Sequence, residues 1–95
     1  MLDFRKRKKN FMTVVLENDR KLFVLPPKKR IFAEIVNFDE NNPEEVYELA
    51  AQVLSNNKQK IEVSADDIAE WDATDIRYLF TEYLKFVQEE LGDPN

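Results

Sequence analysis

Cysteine and histidine are both absent from this chain of 95 residues. Without cysteine there is no disulfide framework and no thiol chemistry. Without histidine, zinc, haem and copper sites lose their usual ligand, and no imidazole is at hand for acid–base catalysis. Glycine occurs once, at Gly92, so no glycine-rich loop exists to cradle a phosphate. No apolar run approaches the ~20 residues that a membrane span needs. The apolar run behind the basic cluster, Phe11 to Leu16, is shorter than the roughly 7–15 residues that a signal peptide requires. The expectation is a cytoplasmic, non-enzymatic protein with no metal, no cofactor and no membrane partner.

Charge is plentiful and unevenly placed. Residues 1–30 carry ten Lys or Arg against three acids, a net +7, whereas residues 31–95 carry four against sixteen, a net −12. A chain polarised in this way pairs its own ends, pairs with a copy of itself or steers towards a charged partner. One domain is expected at this length, burying only roughly 60–65% of its unfolded surface, so that a partner adds useful stability.

The chain reads as a basic flexible arm over 1–10 followed by a single domain over 11–95. Phe11 to Leu16 and Leu22 to Leu25 are β-branched and aromatic runs around Asn18-Asp19. They predict a β-hairpin over 11–25 with a two-residue type I′ turn, setting Glu17 opposite Arg20, Val15 opposite Leu22 and Val14 opposite Phe23. Pro26-Pro27 ends the second strand and suits a helix start. A short helix over about 28–38 is expected to place Ile31, Phe32, Ile35 and Val36 on one side. Asn42-Pro43-Glu44-Glu45 supplies a capping Asn, a proline at the first position and acids in the first turn. The helix it opens, over 43–56, points Val46, Leu49, Ala50, Val53 and Leu54 inward and frays at Ser55-Asn56-Asn57. Ile61 and Val63 alternate as a short strand would. Ser64 and Asp67 form a capping box for a helix over 65–71 with Ile68 and Trp71 inward.

The longest periodic stretch closes the chain. Ile76, Leu79, Phe80, Tyr83, Leu84, Val87 and Leu91 follow the i, i+3, i+4, i+7 series of one helix face. Asp72 is the expected N-cap, with Asp75 reaching back. Gly92 is expected just past the end as a left-handed closing residue, with Pro94 after it. A helix over 73–91 is about 28 Å long, and its aromatic stripe must be covered by the domain or by a partner. The fold class is therefore α+β and mainly helical: an N-terminal hairpin packed on three to four helices, the last of them long.

No constellation of residues points to bond-breaking chemistry. The acid pairs Asp39-Glu40, Glu44-Glu45 and Asp66-Asp67 fall mostly in first helical turns, where the macrodipole favours them. Asp39 to Glu45 lacks the central glycine and ligand spacing of a calcium loop. Ser55, Ser64, Thr13, Thr74 and Thr81 have no basic neighbour to activate a hydroxyl. Two binding surfaces remain. Tyr78 and Phe86 on the flanks of the last helix, with Phe23 and Val14 on the hairpin, are candidate partner contacts. Arg5, Lys6, Arg7, Lys8 and Lys9, flanked by Phe4 and Phe11, are candidate phosphate contacts of a small nucleic-acid-binding regulator, although the acidic body repels a duplex. Salt separates the two. Phosphate contacts are expected to lose affinity steeply between 50 and 200 mM salt, whereas an apolar protein interface barely responds. Deleting residues 1–10 is expected to abolish nucleic-acid binding and only trim partner binding.

The layout as a whole resembles a known family. The hairpin segment FMTVVLENDRKLFVLPPKKRIF, the capped helix NNPEEVYELAAQVLSNNK and the closing VSADDIAEWDATDIRYLFTEYLKFVQEEL look like the small tail assembly chaperones of long-tailed phages and prophages of Gram-positive bacteria. LPPKK after the hairpin, the NNK helix end and the YLKFVQEEL tail are the most characteristic pieces, and the likeness covers roughly residues 4–91. The resemblance implies a mainly helical or α+β protein that binds the tape-measure protein in the host cytoplasm during virion morphogenesis. It implies further that the chaperone keeps this helical client soluble while tail-tube subunits polymerise around it. Self-association into a homo-oligomer, a frameshifted longer form and absence from the mature virion are also implied. No residue set is carried over, so the contacts named above rest on the residues themselves.

Overall fold

The computed structural model describes residues 11–17 and 19–92, the last three by backbone alone. The arm expected over 1–10, including Arg5 to Lys9, lies outside the described residues, as do Pro94 and the side chain of Leu91. The elements run β1 (Met12–Val15), β2 (Lys21–Val24), α1 (Lys29–Asn37), α2 (Pro43–Ser55), a 3-10 turn (Asp66–Ile68) and α3 (Ala73–Gly92). The fold is α+β and mainly helical, with an antiparallel hairpin laid on the helices.

The hairpin forms one register away from the expected one. Met12 pairs Val24, Thr13 pairs Phe23, Val14 pairs Leu22 and Val15 pairs Lys21. The loop has three residues because Leu16 N–H donates to Arg20 O at 2.8 Å and Asp19 N–H to Leu16 O at 2.9 Å. Asp19 takes the left-handed conformation, φ 64°, which closes a three-residue loop and which Asp tolerates. Leu22 and Val24 are fully buried, with Val14 and Met12 opposite them on the inner face. Thr13, Val15, Lys21 and Phe23 form the outer face.

The helix starts follow the capping chemistry. Glu45 N–H donates to Asn42 Oδ1 at 3.4 Å beside Pro43. Asp72 and Asp75 exchange backbone-to-carboxylate bonds of 3.1 and 2.9 Å, and Ser64 and Asp67 exchange bonds of 2.9 and 3.2 Å. The Ser64 backbone N–H, then its hydroxyl, hold the Asp67 carboxyl below its ordinary 3.8. A lowered carboxyl stabilises the fold above that ordinary value and ceases to do so as pH falls through the folded one.

Four expectations change. The helix over 65–71 is only the 3-10 turn Asp66–Ile68, where Ile68 N–H donates to Ala65 O and Ala69 N–H to Asp66 O, the i→i+3 pattern of short tight turns. No strand forms at Ile61 and Val63. On α1 only Ile31 and Ile35 are buried, and Phe32 and Val36 are exposed, as is Leu84 on α3. Gly92 is the last helical residue instead of a left-handed cap, and no described glycine has positive φ.

The segment expected to fray is instead a junction. Asn57 is buried, its Nδ2 donating to Leu54 O at 2.7 Å and Ile61 O at 2.8 Å while its Oδ1 accepts from Ile61 N–H at 2.9 Å. Ser55 Oγ accepts from Val63 N–H at 2.8 Å and lies 2.8 Å from Ala51 O, to which it donates. Asn56 Nδ2 donates to Pro26 O at 3.1 Å, and Asn56 O accepts from Leu25 N–H at 2.8 Å. The Asn57 and Ser55 bonds tie the end of α2 to the segment that follows it, and the Asn56 bonds tie it to the chain leaving β2.

Tyr83 anchors α3. Its ring is fully buried and its hydroxyl donates to Leu25 O at 2.8 Å. Burial pushes the phenol up from the ordinary 10.0, so the folded state holds it neutral where the unfolded chain ionises. Stability is therefore expected to fall as pH rises above 10, by up to about 1.4 kcal/mol per pH unit. Urea unfolding at pH 9 and pH 11 measures the loss, and Tyr83→Phe removes this residue's share of it.

Candidate partner-binding groove

An open groove of about 610 Å³ separates β1 from α3. Its strand side runs from Phe11 to Glu17, and its helix side carries Trp71, Asp75, Tyr78, Leu79, Glu82, Lys85, Phe86 and Glu89. The groove exists because α2 contacts both β2 and α3, leaving β1 as the edge farther from the core. Met12, Val14 and Leu16, although on the inner face, stay half-buried.

The four candidate contacts divide between two surfaces. Tyr78, Phe86 and Val14 line the groove. Phe86 packs against Tyr83 with ring centroids 6.1 Å apart, and Tyr78 stands free, 70% exposed. Phe23 belongs to the outer face of the hairpin, where its ring lies 5.0 Å from that of Phe11 and Lys58 Nζ sits 4.5 Å over Phe11. A one-residue register shift exchanges strand faces, and this is why Val14 and Phe23 do not meet.

Sequence reasoning missed the rest of the lining. Val15 is 58% exposed beside Tyr78's groove. Trp71 is held at the α3 start, where its carbonyl accepts from the Tyr47 hydroxyl. Asp75, Glu82 and Glu89 stand seven residues apart along one line of α3, and Lys85 lies 3.6 Å from Glu82. The repeat of acids was visible in the sequence, but its position opposite β1 was not.

The groove offers apolar area, carboxylates and strand edge. Among the described residues no three His, Cys, Asp or Glu side chains group as metal ligands, and no helix is long and apolar enough to cross a membrane. No family model, curated protein or solved structure matches the chain.

Proposed function

We propose that this protein is a non-enzymatic tail assembly chaperone of a phage or prophage, holding the tape-measure protein in the groove between β1 and α3. The observation that carries the reading is the groove itself, where Val15, Tyr78 and the half-buried Val14 and Phe86 leave apolar surface uncovered beside a strand edge. Apolar side chains gathered in a groove with a rim of carboxylates make a surface that a protein partner can cover. The resemblance of layout supplies the client, and the absence of histidine and cysteine accords with a binding role.

Coexpression with the tape-measure protein of the same gene cluster tests it. The expected result is a soluble client that co-elutes with the chain. An insoluble client with no complex overturns the reading. Self-association, which belongs to the same proposal, is read from the elution volume of the chain alone.

A further inference from the structure

One wall of the groove is backbone. Hydrogen-bonded and non-hydrogen-bonded pairs alternate along an antiparallel ladder. Phe23 and Lys21 turn their backbone groups away from β1. Phe23 N–H donates to Gln59 Oε1 at 3.0 Å, Phe23 O accepts from Lys58 N–H at 2.9 Å, and Lys21 O accepts from Gln59 Nε2 at 2.7 Å. Their partners Thr13 and Val15 therefore turn N–H and C=O away from β2, to the open side, and among the described residues nothing bonds them there. Residues 11–16 contain no charge and no proline, the devices that ordinarily protect an edge strand. Unpaired amides in register on a strand edge fit another extended chain.

The facing wall carries the charge. Asp75, Glu82 and Glu89 span about 21 Å of α3, which six extended residues, about 20 Å, would cover. Glu17 adds a fourth carboxylate, and Lys85 is the lone cation in the lining. A second copy adding its own β1 here would bring no cation from residues 11–16 to meet these acids.

We propose that the groove takes an extended, basic segment of a partner protein, added to β1 as a third strand. Its Lys and Arg side chains face α3, where their charged ends meet Asp75, Glu82 and Glu89 and their stems cover Tyr78 and Phe86, while its apolar residues alternate onto the face that carries Thr13 and Val15. This mode, strand addition with side-chain pockets for specificity, rests on the reading of the groove as a client site and names the segment of the client that it takes. The few ion pairs involved are solvent-exposed, so they add a salt dependence far shallower than counterion release from nucleic acid.

The test titrates the full chain with a labelled eight-residue peptide alternating Lys or Arg with Val, followed by fluorescence anisotropy. Two further peptides carry N-methyl groups, one set at even and one at odd positions. Only one parity bonds β1, so one methylated set is expected to bind at least tenfold more weakly and the other within about twofold. Replacing Lys and Arg by Glu is expected to weaken binding at least tenfold. Equal binding by both methylated sets, or by the acidic peptide, overturns the proposal. Binding that appears only when Arg5, Lys6, Arg7, Lys8 and Lys9 are all replaced by Gln also overturns it, because the chain's own N-terminus is then the occupant. Parity-dependent binding with no hold on the tape-measure protein sinks the chaperone reading and leaves strand addition standing. The reverse pattern sinks strand addition alone.

Discussion

Asn57→Ala is expected to cost about 3 kcal/mol of stability and roughly 15 °C in Tm, measured by urea and thermal unfolding. The side chain is buried and makes three bonds, to the carbonyls of Leu54 and Ile61 and from the N–H of Ile61. Its removal leaves two carbonyls and one N–H short of a partner where water reaches poorly, and each buried unsatisfied group costs about 1–3 kcal/mol. Against a total of about 5–15 kcal/mol for a domain, that is a large share. Asn57→Asp should not rescue it, because a carboxylate keeps the acceptor for Ile61 N–H but aims its second oxygen at two carbonyls. The loss should spread to the hairpin, since Val24 bridges to Asn57 and Lys58 N–H donates to Phe23 O at 2.9 Å. A loss below 1 kcal/mol would mean that the junction is not what fastens β2 to α2.

The second large effect concerns binding. Tyr78→Ala is expected to weaken the hold on the tape-measure protein about 30-fold, an interface hot-spot loss of about 2 kcal/mol. Tyr78 is mostly exposed, and a surface substitution of this kind shifts stability by no more than about 0.5 kcal/mol. Val36→Ala on α1 is the matched control, with similar exposure on another face, and should leave binding unchanged. Titration of a soluble tape-measure fragment against each variant, with unfolding curves alongside, measures both quantities.

Much of the architecture was legible because it is local. The caps at Asn42, Ser64 and Asp72 depend on residues three positions apart, and each forms as its spacing implies. Most of the inward row of α2, and Ile76, Leu79, Phe80, Tyr83 and Val87 on α3, follow from period alone. The hairpin was legible as a hairpin, but its register hinged on whether the loop held two residues or three. With Asp19 left-handed and Leu16 bonded to Arg20, every cross-strand pair moves by one.

What was not legible is long-range. Asn56 and Asn57 look like a fraying helix end because Asn is a poor helix former. Their bonds to Pro26, Leu25 and Ile61 appear only once β2 lies beside α2. Phe32, Val36 and Leu84 fit the apolar faces of their helices yet stay exposed, because nothing in the described fold lies over them. The candidate site divides in the same way. Tyr78 and Phe86 were identifiable as helix-flank aromatics, but that they lie across a groove from β1 depends on the placement of α3.

The most direct test of the groove as the client site is site-specific photo-crosslinking during coexpression with the tape-measure protein. A photoreactive phenylalanine analogue replaces Tyr78 in one variant and Val36 in another, two positions of nearly equal exposure, 70% and 66%. Covalent adducts with the tape-measure protein at position 78 and none at position 36 are expected. Adducts at 36 without adducts at 78, or none at either position while the client stays soluble, would contradict it.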